Sequence, residues 1–108
     1  LYHWDVVGPA ITDCGHEAPF VWEYYNKYWM IVDAWDKGLR IYSSENGRDT
    51  WTYSSTITGS HPSIYSINGK FIFLCHGSAG KARLKSDRET ALYIGELLYE
   101  NGRFIRSN

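Results

Sequence analysis

An internal repeat constrains the fold of this 108-residue chain more than any other feature of its sequence. The residues from Ala18 to Ile31 align with those from His61 to Leu74, each residue 43 positions before its counterpart. A second match aligns Glu45-Asn46-Gly47-Arg48 with Glu100-Asn101-Gly102-Arg103. A repeat of about forty to fifty residues is typical of chains built from stacked supersecondary units.

Each copy of the repeat predicts four strands separated by turns. Asn68-Gly69 lies between two apolar runs and signals a two-residue hairpin, because that turn requires positive φ. Asn46-Gly47 and Asn101-Gly102 predict the same turn between the third and fourth strands of each copy. The stretch from Tyr2 to Val7 predicts one more strand, which would belong to a preceding unit or close the sheet. The strands are predicted near 19–24, 27–34, 38–44 and 50–55, and near 62–67, 70–76, 90–98 and 103–107.

The stretch from Glu89 to Leu98 is ambiguous, because it also has helical spacing with Asp87 as a candidate N-cap. Gly95 would weaken a helix by about 1 kcal/mol relative to alanine. The repeat aligns this stretch with a strand, so we predict a strand. The predicted fold is all-β: one domain, 1–108, of two four-stranded antiparallel β-propeller blades at about 16–57 and 58–108.

Composition excludes several classes of function. The formal net charge is -1, whereas a general binder of nucleic acid or of anionic membranes would carry a basic excess. No apolar run is longer than that from Tyr28 to Val32, which is far too short to span a bilayer. We see no signal peptide at the start, and we expect Cys14 and Cys75 to be free and buried. Both observations favour a soluble, cytoplasmic protein unless a leader was trimmed.

Three stretches of the sequence, taken in order, carry a family resemblance. They are Gly15 to Val21 with Lys27-Tyr28-Trp29; Gly59 to Ile64 with Asn68-Gly69-Lys70 and Cys75-His76; and Arg88 to Ile94 with Glu100-Asn101-Gly102. They resemble the last two blades of the five-bladed propeller of glycoside hydrolase family 43 and its relatives. The resemblance covers nearly the whole chain but at most about half of such a domain.

The resemblance implies roles for two residues. Glu17 stands where the family has the general acid of its Glu-(Gly/Ala)-Pro segment. His61 stands where the family has a histidine near the propeller axis, often beside a bound cation. It is therefore a candidate ligand for a central divalent cation. Ser60 departs from the family pattern as an insertion. We expect His61 to hold the same position as Glu17, one blade later. The alternative for Glu17 is a solvated carboxylate in a turn, and the alternative for His61 is a hydrogen-bonded structural histidine.

Four other residues are candidate ligand-binding positions. Arg88 could hold a sugar hydroxyl or carboxylate through its planar guanidinium, or pair with its acidic neighbours. Trp35, in a predicted loop, could stack on a sugar face or pack between blades. Asp33 and His76 end equivalent strands and are expected to face the central channel.

A second catalytic carboxylate is missing from the predicted site. Glycoside hydrolysis uses two carboxylates flanking the scissile bond, and the family takes its other acidic residues from earlier blades. We therefore expect a carbohydrate-binding or remnant module with its ligand in a central channel. The alternatives are an active glycoside hydrolase completed across subunits or by missing blades, and a protein-interaction module without a small-molecule ligand. Whether the chain is an enzyme stays open.

Two blades alone leave open sheet edges and half-covered faces, which favours self-association. Two-blade units can close a ring of four as a dimer or a ring of six as a trimer. Dimers are commoner in general, so the expected partners are a second copy of the chain and an oligosaccharide.

Overall fold

The computed structural model describes residues 3–76 and 92–107, which form two four-stranded antiparallel sheets with their strands in chain order. The all-β prediction is confirmed. A single turn of 3-10 helix, Trp35–Lys37, joins the second and third strands. The first sheet contains β1 (Glu17–Tyr24), β2 (Lys27–Asp33), β3 (Leu39–Ser44) and β4 (Thr52–Ile57), and the second contains β5 (Ser60–Ile67), β6 (Lys70–His76), β7 (Leu92–Glu100) and β8 (Arg103–Arg106).

Three hairpins turn on two residues that both have positive φ: Tyr25-Asn26, Asn68-Gly69 and Asn101-Gly102. This is the geometry of the type I′ turn, whose twist matches that of the flanking strands. The predicted turns at Asn68-Gly69 and Asn101-Gly102 are therefore confirmed.

The turn predicted at Asn46-Gly47 is wrong, because β3 ends at Ser44 and β4 begins only at Thr52. The hydroxyl of Ser44 accepts hydrogen bonds from the backbone N–H groups of Asn46 and Gly47. The Asn46 side chain in turn accepts the N–H of Arg48. Asparagine and serine side chains that bond nearby backbone groups build longer loops, and here they do so in place of a tight hairpin.

The strand predicted over Tyr2 to Val7 is also wrong for His3 to Val7, the part that the structure describes. These residues pair with no strand, and Trp4 and Val6 are 89% and 97% exposed. An alternating apolar pattern forms a strand only where a neighbouring strand can satisfy its backbone groups.

The strand prediction for the ambiguous stretch is confirmed by β7, and Gly95 gives the reason. Gly95 pairs with Phe73 on β6, and the Phe73 ring lies directly over the glycine, where a side chain would collide with it. The residue that disfavours a helix therefore makes room for a core ring in the sheet. Residues 89–91 lie outside the described part.

The core lies between the two sheets, which pack face to face with β1 against β5 and β4 against β8. Phe104 is fully buried at its centre. Its ring contacts those of Trp22, Tyr24, Trp29, Phe71 and Tyr99, with centroid distances of 4.8 to 5.6 Å. Edge-to-face packing of this kind adds to the stabilisation from burial alone.

Two further sequence expectations concern cysteines and membranes. Cys14 and Cys75 are both free, as predicted. Cys75 is buried, and burial raises the pKa of its thiol, while Cys14 is only half-buried. The described residues include no helix long and apolar enough to cross a bilayer.

Replacing Phe104 tests this core. We expect Phe104→Ala to lower the free energy of unfolding by about 3–5 kcal/mol, measured by urea denaturation. Phe104→Leu should lower it by less, because it leaves a smaller cavity. A loss below about 1 kcal/mol for Phe104→Ala would mean that the two sheets do not share this aromatic core.

Candidate functional site

The chain topology gathers several polar residues at one end of the two sheets. Because the strands alternate in direction, β1 and β5 begin at the same end at which β2 and β4 finish. Glu17 begins β1, Asp33 ends β2 and His61 is the second residue of β5. The structure brings these three sequence-predicted residues together.

Asp33 holds this end of the molecule together. Its carboxylate is buried, with the residue only 3% exposed. Oδ1 accepts the backbone N–H of Trp35 at 2.9 Å. Oδ2 accepts the Ser60 hydroxyl at 2.7 Å and the backbone N–H of His61 at 3.1 Å. A buried carboxylate is tolerated when hydrogen bonds satisfy it, and these bonds tie the end of β2 to the start of the second sheet.

Glu17 and His61 form a polar pair above this carboxylate. Glu17 Oε1 lies 3.2 Å from His61 Nε2, and the two side chains are 48% and 46% exposed. His61 Nε2 also lies 3.9 Å from Asp33 Oδ2. An exposed pair of this kind contributes about 0–1 kcal/mol to stability. Its two polar groups remain accessible to a ligand from solvent.

The two sheets share an irregularity beside these residues. In β1 the register shifts between Glu17 and Phe20, and in β5 it shifts between Ser60 and Ser63. Glu17 and Ser60 therefore occupy the same place in their sheets. The expectation that His61 is the counterpart of Glu17 is wrong by one residue, because His61 lies on the shifted stretch, as Ala18 does.

Strained backbone is concentrated at this end. Ala18, Trp35 and His61 have φ values of 52°, 57° and 48°, in the left-handed region. The other described non-glycine residues with positive φ all lie in the hairpin turns. This conformation costs about 1–3 kcal/mol at a non-glycine residue and occurs preferentially at functional sites.

Trp35 adds an aromatic surface next to Asp33. It is 57% exposed, and its ring lies over Gly15, where a side chain would collide with it. Beside it is an open cleft of about 290 Å³, lined by Trp35, Asp36, Lys37, Gly38, Thr56, Ile57, Thr58 and Gly59. Trp35 thus fits the ligand-contact alternative better than packing between sheets.

Next to His61 the arrangement supplies one accessible carboxylate, that of Glu17. Asp33 lies close to Glu17, but both of its oxygens accept hydrogen bonds and it is closed to solvent. Asp33 is thus a positioning residue for Ser60, His61 and Trp35. Glu17 is the exposed carboxylate beside His61, and the exposed Asp36 lines the cleft next to Trp35.

A metal ion has three candidate ligands here: Glu17, Asp33 and His61 present ligand atoms within 4.8 Å of one another. Calcium and magnesium take six or more oxygen ligands. Asp33 already accepts three hydrogen bonds, so a cation here would depend on Glu17, His61 and water molecules for its other ligands. The central cation that the family resemblance implies therefore stays a prediction.

Two predicted site residues are not placed. Arg88 lies outside the described residues, and so does the side chain of His76, whose backbone pairs with Ser60 and Leu92 at the end of β6. Sequence reasoning missed Ser60, which it treated as an insertion. The 43-residue offset places Ser60 opposite Glu17, so the repeat itself contained this signal.

A second polar cluster, also missed from the sequence, fastens the N-terminal segment to the first sheet. The Tyr42 hydroxyl donates to Asp13 Oδ1 at 2.9 Å, and Arg40 donates to Asp13 Oδ2 at 3.1 Å. Cys14 Sγ lies 3.5 Å from the same hydroxyl. Burial, with these hydrogen bonds, raises the pKa of Tyr42 well above its usual value of 10.0.

A solved structure described as a thermostable family-43 glycoside hydrolase is similar to this chain, with a TM-score of 0.68 at 16% sequence identity. The match covers 86% of this chain and 35% of that one, so this chain spans about a third of the hydrolase's length. At this identity the likeness shows the fold alone. No protein-family model and no curated protein matches the sequence.

The positive φ of Ala18 leads to a prediction about the stability of the fold. We expect Ala18→Gly to raise the free energy of unfolding by about 0.5–1 kcal/mol, because glycine adopts positive φ without penalty. Ala34, with φ of -99°, is the matched control, and Ala34→Gly should be destabilising. Urea denaturation measures the free energy of unfolding of both variants. Equal losses in the two would show that Ala18 is not strained.

The raised pKa of Tyr42 leads to a prediction about how the stability of the fold depends on pH. Such a group stabilises the fold fully below its unfolded pKa, and that contribution is lost as pH rises toward the folded pKa. The free energy of unfolding should therefore fall above pH 10, and by less in Tyr42→Phe. Denaturant titrations between pH 8 and about 11.5 measure the difference. Parallel curves for the two proteins would contradict the buried hydroxyl.

Proposed function

We propose that this chain is a carbohydrate-binding module, related in fold to family-43 glycoside hydrolases, that binds its ligand at the sheet end bearing Glu17, His61 and Trp35. In a complete propeller this end would border the central channel. The fold similarity supports the connection to glycosidases. The case for binding comes from the residues of the site.

The observation that carries the proposal is the buried carboxylate of Asp33. It accepts the backbone N–H groups of both His61 and Trp35, and so fixes the backbone on either side of the site before a ligand arrives. Binding groups that are already ordered lose less conformational entropy on association. The hydrogen bonds of Asp33 therefore order the surface that His61 and Trp35 form before a ligand binds.

The exposed groups suit a neutral sugar. The Trp35 indole offers a flat apolar face, the kind of surface on which the C–H face of a pyranose or furanose ring can lie. Glu17 and His61 offer hydrogen-bond acceptors and donors to hydroxyl groups. An apolar surface with a few oriented polar groups is typical of small-molecule sites.

Binding fits these residues better than hydrolysis. Asp33, the second carboxylate of the site, is buried and fully hydrogen-bonded. It cannot approach a sugar or activate a water molecule without losing those bonds. A hydrolase built on Glu17 would need its other carboxylate from another subunit or from further blades.

The test is a titration of the chain with xylotriose and arabinotriose, followed by heteronuclear NMR. We expect both Trp35→Ala and Glu17→Gln to weaken binding by about tenfold or more, through loss of stacking and of a charged hydrogen bond. Trp4→Ala is the matched control, since Trp4 is exposed but lies outside the site, and it should bind like the wild type. Unchanged affinity in both site variants would contradict the assignment.

A turnover assay distinguishes the alternative. We expect the chain to release no aryl alcohol from aryl pentosides, because Asp33, the carboxylate beside Glu17, is buried and fully hydrogen-bonded. EDTA should leave oligosaccharide affinity unchanged, because stacking on Trp35 and hydrogen bonds to Glu17 and His61 need no cation. Turnover that disappears in Glu17→Gln would favour an active glycoside hydrolase instead.

A further inference from the structure

The second sheet has an apolar outer face, turned away from the core. Register pairs Tyr65 with Ile72, Leu74 with Ile94, and Leu98 with Ile105, so their side chains lie in rows across the sheet. Leu92 and Ile94 are 69% and 71% exposed. We call this surface the open face; it comprises Tyr65, Ile67, Ile72, Leu74, Leu92, Ile94, Leu98 and Ile105.

The corresponding surface of the first sheet is partly covered by the chain itself. Met30, Val32 and Tyr42 on its outer side are buried, and Ile11 and Trp51 pack against them. The hydrogen bonds of Asp13 to Tyr42 and Arg40 hold the N-terminal segment over that side. Among the described residues, the first sheet thus has a partly covered outer face and the second an exposed one.

The apolar residues of the open face form one continuous surface rather than a set of isolated exposed side chains. Its residues come from all four strands of the second sheet and adjoin one another through the strand pairing. A contiguous exposed apolar patch of this kind marks an interaction surface. Aligned packing of two sheets, face to face, is a standard way to bury it.

We propose that the open face binds the open face of a second copy of this chain across a two-fold axis. A head-to-tail ring of sheets would instead require the outer side of the first sheet, which Ile11 and Asp13 partly cover. A two-fold contact uses the same patch on both partners. Register pairs Lys70 with Ile67, Glu96 with Ile72 and Glu100 with Arg103 on this side of the sheet. The face thus carries charges of both signs and can be complementary to itself.

This pairing leaves the candidate sugar site accessible, because that site lies at the end of the sheets and the open face lies on their flank. The proposal is therefore independent of the proposed function. Sugar binding without a dimer, or a dimer without sugar binding, would separate the two.

The test is sedimentation equilibrium of the 108-residue chain across a range of concentrations, with two matched variants. We expect a dimer with a dissociation constant below about 100 µM. Ile94→Asp should raise that constant by about 100-fold or more while near-ultraviolet circular dichroism stays unchanged. Val21→Asp is the control, because Val21 is 49% exposed on the outer side of the first sheet, and it should remain dimeric.

Three results would overturn the proposal. A wild-type chain that stays monomeric at about 100 µM would show that the open face is free or is covered by something other than a second copy. Dissociation by Val21→Asp would favour the ring arrangement, because the contact would then use both sheets. A folded Ile94→Asp variant that remains dimeric would place the contact elsewhere; Leu92→Asp is the second variant should Ile94→Asp fail to fold.

Discussion

The carboxylate of Asp33 is the group on which the arrangement of the candidate site depends. It ends β2 in the first sheet, and its hydrogen bonds reach the first two residues of β5 in the second. A third bond fixes the backbone at Trp35. Removing a buried charged acceptor from three donors is costly, because each donor then loses its partner away from water. The positions of Ser60, His61 and Trp35 thus follow from one buried group.

The positive φ angles of Ala18, Trp35 and His61 lie at the same end of the sheets that Asp33 organises. A bulky residue adopts this conformation only when its surroundings compensate for the strain. At Trp35 and His61 the compensation is a hydrogen bond to Asp33, and the exposed side chains are held as a result. The outer sides of the two sheets also differ: the described residues partly cover that of the first sheet and leave that of the second apolar and exposed. The molecule therefore presents two distinct surfaces, one polar and strained, the other flat and apolar.

Much of the fold could be predicted from the sequence, because turn chemistry and the repeat agree. Asn68-Gly69 and Asn101-Gly102 specify hairpins by their φ preference, and the 43-residue offset places the paired strands. The Asn46-Gly47 turn failed because Ser44 competes for the same backbone donors. The site was predicted in part: Glu17, Asp33, His61 and Trp35 meet, but burial of Asp33 and its bonds to Ser60 depend on how the sheets pack. Local sequence does not encode that contact.

The most direct test of this account is amide hydrogen exchange at His61 and Trp35, whose backbone N–H groups both donate to Asp33. In Asp33→Ala we expect these two amides to exchange at least about tenfold faster, while the amide of Ile31, in the middle of β2, changes little. Ile31 serves as the control for general loss of stability. If His61 and Trp35 keep their protection in the variant, Asp33 does not organise the site.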